Sequence, residues 1–225
     1  IFLSRNLMST YHNYFSNNKL AINEVIDLYE SNRSIFPKSS RMGKLKVANS
    51  IAEISENFDA FIFDSYGVLN TGSLLIKNVK EALIELKEKG KIIIVLTNGA
   101  SYPTSNKVAL FQSWCLPFEN EEVISSRDLL KDYLKNQGQI NWGVIGSPGS
   151  DLNELGVNGH ILGESISKLN ECEGIIYLGC EYWDQNKQVK LENKLKKTSM
   201  QILVGNPDIV APQKLSFSIE PGFWS

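Results

Sequence analysis

The chain has 225 residues, 42% hydrophobic and 21% charged, with a net charge of −2 at pH 7. That is enough apolar material for a core, and it predicts one domain carrying an insertion or a small second domain. The near-neutral charge lacks the basic excess of a nucleic-acid binder, and no apolar run approaches the ~20 residues that span a bilayer. Cys115, Cys172 and Cys180 form no close pair and have no histidines nearby in sequence. This argues against a disulfide framework or a zinc site, and for buried thiols in a reducing, cytoplasmic compartment.

The chain opens on Ile1, and Met8 precedes a more ordinary polar start. Residues before Met8 therefore read as upstream sequence or a trimmed precursor, too short and polar for a signal peptide. Leu20, Ile22, Val25, Ile26, Leu28 and Tyr29 recur at helical spacing and predict a helix ending before Pro37. Ser39–Lys46 reads as a solvated basic linker, followed by a short helix over Val47–Ile54. Phe61-Ile62-Phe63 predicts a buried parallel strand that stops at Asp64, with a sharp turn at Gly67. Val79–Lys89 is a predicted helix ended by Gly90. Lys91–Leu96 is a second predicted buried strand, running into Thr97-Asn98-Gly99-Ala100-Ser101. Strand, helix and strand with polar residues after both strands is a βαβ pattern. Helices follow over Lys107–Trp114 and Ser126–Lys135, the latter with Ser125 or Ser126 as N-cap.

From Asn141 the pattern restarts, with strands over Trp142–Ile145 and Ile175–Leu178 and a charged amphipathic surface helix over Asn186–Lys197. A further strand, Ile202–Val204, leads into Gly205-Asn206-Pro207-Asp208. Two α/β modules in series are therefore expected. Phe217, Ile219, Phe223 and Trp224 leave an apolar tail without an evident partner, which reads as a truncated domain. His12 and His160 are expected on the surface, and Trp142, Trp183 and Tyr182 in packing roles.

A carboxylate at the carboxyl end of a strand, before a tight glycine turn, is a candidate nucleophile beside backbone N–H groups that can face an anion. Asp64-Ser65-Tyr66-Gly67-Val68-Leu69 resembles the first motif of the haloacid dehalogenase superfamily, and Thr97-Asn98 after an isoleucine-rich strand resembles its second. The restarted module followed by Gly205-Asn206-Pro207-Asp208 resembles the subclass with an inserted α/β cap, which includes nitrophenylphosphatase-like and sugar-phosphatase-like proteins. The resemblance covers residues 58–225. It implies an α/β fold: a Rossmann-like parallel-sheet core with an inserted α/β cap domain. The expected organisation is an N-terminal helical extension over 1–57, the first part of the core over 58–139, the cap over 140–204, and a truncated return to the core over 205–225.

Carried over, the resemblance implies a Mg²⁺-dependent phosphatase acting on a small phosphorylated metabolite through an aspartyl-phosphate on Asp64. Thr97, Asn98 and Gly99 would bind the phosphoryl group, Asn206 and Asp208 would lie near the substrate entrance, and Asp64 with the Tyr66 backbone carbonyl would hold the metal. No nucleic acid or membrane enters this expectation, and a homodimer would form through the cap. Two departures keep alternatives open. Tyr66 stands where phosphatases of the superfamily carry a second Asp, and a phenol of pKa about 10 can donate a proton but is a poor base at neutral pH. The superfamily's later Lys and acidic motifs are expected after Asp208, about where the chain ends. The alternatives are a catalytically impaired phospho-ligand-binding module and a metal-independent haloacid dehalogenase-type hydrolase.

Overall fold

The computed structural model describes residues 19–38, 43, 47–213 and 216–225. The start around Met8, His12 and all of the predicted linker Ser39–Lys46 except Gly43 lie outside the described residues. After β1 (Lys19–Leu20), α1 (Ile22–Ser31) buries Val25 and Leu28, as its apolar spacing predicts. The short helix α2 (Ile51–Ser55) starts later than expected, because Ser50 caps it by accepting the Glu53 N–H at 3.4 Å.

The first module then follows the βαβ expectation. β2 (Ala60–Phe63) is followed by a small hairpin of β3 (Asn70–Thr71) and β4 (Leu74–Leu75), then α3 (Val79–Glu88) and β5 (Ile92–Thr97). Next come α4 (Thr104–Ser113), β6 (Val123–Ser125) and α5 (Ser126–Leu134). The sheet order is β2-β5-β6, all parallel, with Phe63 opposite Val95 and Thr97 opposite Ser125. Ser125 is the N-cap of α5: Asp128 Oδ2 accepts its N–H at 2.8 Å, and its hydroxyl accepts the Asp128 N–H at 3.4 Å.

The two strands expected to be buried are buried on one face only. Ile93 and Val95 are fully enclosed with Leu83, Leu86, Val108 and Phe111, while Ile62 is 68%, Ile92 58% and Leu96 50% exposed. A contiguous apolar run suggests cover on both faces. Here the period-two alternation divides it between a packed face and one that nothing covers among the described residues.

The second module comprises β7 (Trp142–Ile145), α6 (Leu152–Leu155), β8 (Gly159–Ile161), β9 (Gly174–Tyr177), α7 (Gln185–Leu195) and β10 (Gln201–Val204). Its sheet is parallel in the order β10-β9-β7-β8, and β7 and β9 are buried throughout. Trp142 and Trp183 are core residues, whereas Tyr182 is 65% exposed. His160 is not unpartnered: its Nε2 lies 3.2 Å from Glu171 Oε2. No described helix is long and apolar enough to cross a membrane.

Residues 205–225, expected as a return to the core, add no strand to the β2-β5-β6 sheet among the described residues. β11 (Val210–Pro212) and β12 (Phe217–Ile219) form an antiparallel ribbon completed by β1, and α8 (Pro221–Trp224) follows. The apolar tail is partnered: Ile219 and Trp224 lie in one cluster with Val25, Leu28, Ile145, Tyr177 and Trp183. Gly222 is fixed by close approach, since a Cβ there would stand 2.0 Å from the Pro207 carbonyl oxygen.

One buried charge joins the modules. Arg127 on α5 is 1% exposed; it donates to the carbonyls of Ala100 (3.1 Å), Ser150 (2.6 Å) and Asp151 (2.9 Å), and from Nε to Glu154 at 2.9 Å. Lys131 reaches the other Glu154 oxygen at 2.6 Å. Burial pushes the Glu154 carboxyl up, but the hydrogen bonds from Lys131 and Arg127 outweigh it and hold the group below its usual range.

Candidate active site

The end of β2 shapes the first side of the site. The Ser65 carbonyl accepts N–H groups from Val68 (3.3 Å), Leu69 (2.8 Å) and Asn70 (3.1 Å), and Gly67 N–H donates to the Asn70 carbonyl at 2.7 Å. The chain can wind this tightly because Gly67 takes φ +87°, a conformation that other residues rarely adopt. Ser65 Oγ bonds Asn70 Oδ1 at 2.9 Å, so the loop is pinned from within. Asp64 is left facing a cleft, its Oδ1 accepting the Ser65 N–H at 2.7 Å.

The cleft is about 430 Å³ and lies beyond the carboxyl ends of β2 and β5. Asp64, Tyr66, Thr97, Gly99, Asn206 and Asp208, all singled out in the sequence, line it. Asn98 does not line it; its side chain donates to Asp208 Oδ1 at 2.8 Å and its carbonyl accepts from Ser126 Oγ at 2.7 Å. Thr97 is 4% exposed, and its Oγ1 accepts from Gly99 N–H (3.3 Å) and Lys107 Nζ (3.4 Å). With its lone pairs so engaged, the hydroxyl proton is free to point into the cleft.

Lys107 escaped the sequence reading. It lies in the first part of α4, where the helix dipole disfavours a cation, and that placement was the available signal. Its ammonium stands 5.2 Å from the Tyr66 ring centroid. Burial pulls its pKa down to about 8, against the opposing pull of Asp64 and Glu220. Glu220 was also missed; a carboxylate between Ile219 and Trp224 in an apolar tail is the trace it left. Its Oε2 accepts from Asn206 Nδ2 at 3.0 Å and its Oε1 from Ser218 Oγ at 3.3 Å. Burial raises its pKa to about 7, Asp208 and Glu181 add to the rise, and Ser218 and Lys107 oppose it. Burial likewise raises the Tyr66 phenol, with Glu220, Glu181 and Tyr102 contributing in the same direction. The phenol is therefore still less able to act as a base than its ordinary pKa suggests. Asp208 is raised by burial and by Asp64, with the Asn98 hydrogen bond opposing.

A buried ammonium beside a hydroxyl donor is suited to a doubly charged oxyanion. Replacing Lys107 by methionine is expected to weaken sulfate binding by roughly 10- to 100-fold, the range for a charge-assisted hydrogen bond. The parent should bind sulfate less tightly as pH rises through about 8, where Lys107 loses its proton, and the methionine variant should lack that step. Titration calorimetry from pH 6 to 9 measures both, since sulfate keeps its charge over that interval.

No group of three or more His, Cys, Asp or Glu side chains is arranged to hold a metal among the described residues. The resemblance names the Asp64 carboxylate and the Tyr66 main-chain carbonyl as the ligands, and both residues line the cleft. Such a small oxygen set suits Mg²⁺, which keeps several waters and uses one or two carboxylates together with substrate phosphate.

Residues 61–158 match the family described as haloacid dehalogenase-like hydrolase. The chain is 28% identical over 103 residues to the chloroplastic phosphoglycolate phosphatase 1A of Arabidopsis thaliana, covering 46% of this chain and 28% of that protein. Among solved structures it resembles a 4-nitrophenylphosphatase from Thermotoga maritima, with TM-score 0.58 and 20% identity over 76% of this chain and 63% of that one. It also resembles a possible sugar phosphatase of the haloacid dehalogenase superfamily from Cytophaga hutchinsonii, with TM-score 0.66 and 24% identity over 78% of this chain and 64% of that one. The chain thus spans less than two thirds of the length of each of these three proteins.

Proposed function

We propose that this chain, a haloacid dehalogenase-like hydrolase over residues 61–158, belongs to a phosphatase that transfers the phosphoryl group of a small phosphorylated metabolite to Asp64 and then to water. One observation carries the reading: Asp64, Thr97 and Lys107 converge on a single cleft at the ends of two adjacent parallel strands. That position is where open α/β sheets bind their ligands.

In this scheme an Asp64 oxygen attacks phosphorus and the bond to the leaving oxygen breaks. Thr97 donates its hydroxyl proton to a phosphoryl oxygen, the Gly99 backbone keeps Thr97 oriented, and Lys107 offsets the anionic charge. Asn98 holds Asp208 at the rim. Mg²⁺, held by the Asp64 carboxylate and the Tyr66 carbonyl, would supply the charge neutralisation that lets a carboxylate approach a phosphate dianion. Three similar proteins with phosphatase in their names support the reading, and so does a family match that includes both Asp64 and Thr97. The three free cysteines suit a reducing, cytoplasmic setting.

The test is phosphate release from 4-nitrophenyl phosphate by the full chain. Turnover should need added Mg²⁺, vanish in EDTA and return when Mg²⁺ is restored in excess. A chain that binds the ester without turning it over would fit the binding-module alternative, which Tyr66 in place of an acid–base carboxylate favours. Chelator-resistant halide release from a haloacid would overturn the phosphatase reading.

A further inference from the structure

Transfer to Asp64 and on to water needs a group that gives a proton to the leaving oxygen and later takes one from water. Tyr66, beside Asp64, offers a phenol, and with an ordinary pKa of about 10 a phenol is a poor base at neutral pH, unsuited to the second role. Building on the phosphatase reading, we propose that Glu220, which follows β12 on the lining of the cleft, is the general acid and base of this site. Three features of geometry support the assignment. Glu220 lines the same cleft as Asp64 and Thr97. Both its oxygens are held, by Asn206 Nδ2 at 3.0 Å and Ser218 Oγ at 3.3 Å, so the carboxyl is oriented rather than free to wander. Its backbone is also fixed: β12 is paired on both sides, and the glycine two residues on is pressed against Pro207.

The charged and titratable groups around it are Asp208, Glu181, Lys107, Tyr66 and Cys180. Burial and the two carboxylates bring Glu220 close to neutrality, where one group can both give and accept a proton. In the first step an Asp64 oxygen bonds to phosphorus and the bond to the leaving oxygen breaks with its electron pair. The proton on Glu220 Oε1, the oxygen with the longer hydrogen bond, passes to that leaving oxygen. In the second step the Glu220 carboxylate takes a proton from water as its oxygen attacks phosphorus. The Asp64 carboxylate leaves, inorganic phosphate departs, and Glu220 is protonated again.

The experiment compares two leaving groups in the full chain with Mg²⁺: glycerol 3-phosphate, whose alkoxide needs a proton, and 4-nitrophenyl phosphate, whose phenolate does not. Glu220→Gln is expected to lower kcat/KM for glycerol 3-phosphate by about 10²–10⁴-fold. With 4-nitrophenyl phosphate the same variant should release one nitrophenolate per chain at nearly the parent's rate and then stall, with phosphate left on Asp64. A loss equal for both leaving groups in the first step would mark a structural role and overturn the assignment. So would glycerol 3-phosphate turnover within threefold of the parent.

The parent alone gives a second reading that does not depend on the variant folding. Its kcat/KM for glycerol 3-phosphate should fall as pH rises through about 7, while its nitrophenolate burst shows no such fall there. The same pH dependence for both overturns the role. A parent inactive on both esters overturns the phosphatase reading and this role with it; an active parent indifferent to Glu220 overturns the role alone.

Discussion

Asp64→Asn is expected to lose turnover by about 10⁴–10⁶-fold, on the scale seen when a covalent nucleophile is removed. The fold should survive, because the asparagine carbonyl can still accept the Ser65 N–H that Asp64 Oδ1 now accepts at 2.7 Å. The amide is neutral, so it cannot attack phosphorus, and it no longer repels an anion. Sulfate should therefore bind the variant at least as tightly as the parent, through Thr97 and Lys107. Steady-state phosphate release and sulfate calorimetry on one preparation give both numbers. Substantial remaining turnover would mean that Asp64 is not the nucleophile, and weaker sulfate binding would mean that it organises the site instead.

Arg127→Ala is expected to be the most destabilising single change outside the cleft. It leaves three carbonyl oxygens without the guanidinium they now share, and leaves Glu154 with Lys131 as its ion-pair partner. A buried acceptor left without a donor costs about 1–3 kcal/mol, so the three carbonyls together imply a loss of roughly 3–5 kcal/mol. For a chain of this size, with about 2–4 °C of Tm per kcal/mol, that is a fall of roughly 6–20 °C. Arg127→Lys should recover little, since a single ammonium cannot fork between Glu154 and the carbonyls of Ala100, Ser150 and Asp151. Because Glu154 is held below its usual pKa, its contribution is present at neutral pH and is lost as acid protonates it. Thermal melts of parent and variants at pH 7 and pH 4 should differ more at pH 7.

The sequence announced the parts of this molecule that depend on local pattern. Apolar spacing in Ile22–Ser31 and Val79–Glu88 located two helices, and the Ser125-Ser126 pair offered an N-cap at the start of a third. Asp64 and Thr97 could be found because each sits where an apolar strand gives way to small polar residues, which is a property of a few consecutive positions. Lys107 and Glu220 could not be found that way. Each becomes meaningful only through neighbours brought to it by the fold: Lys107 through Tyr66 and Thr97, Glu220 through Asn206 and the cleft it shares with Asp64. The same limit explains the strand faces. A run such as Ile92–Val95 carries no sign of how many layers will cover it, and half of its side chains stand on an open face. Arg127 was silent for a similar reason, since a lone arginine in an amphipathic helix normally reads as surface.

The pairing of Lys19–Leu20 with Phe217–Ser218 also bears on the order in which the molecule is made. Nearly all of the described chain separates these partners, so the ribbon is a contact of very high sequence separation, of the kind that slows folding through the entropy of closing a long loop. During synthesis the nucleophile loop and the Thr97 strand end can form early from adjacent βαβ elements. The wall bearing Glu220 must wait for Phe217–Ile219 to emerge and find the Lys19–Leu20 strand made long before. A nascent chain therefore acquires the Asp64 and Thr97 side of the cleft long before its second wall, and the cleft closes only when the two ends of the described chain meet.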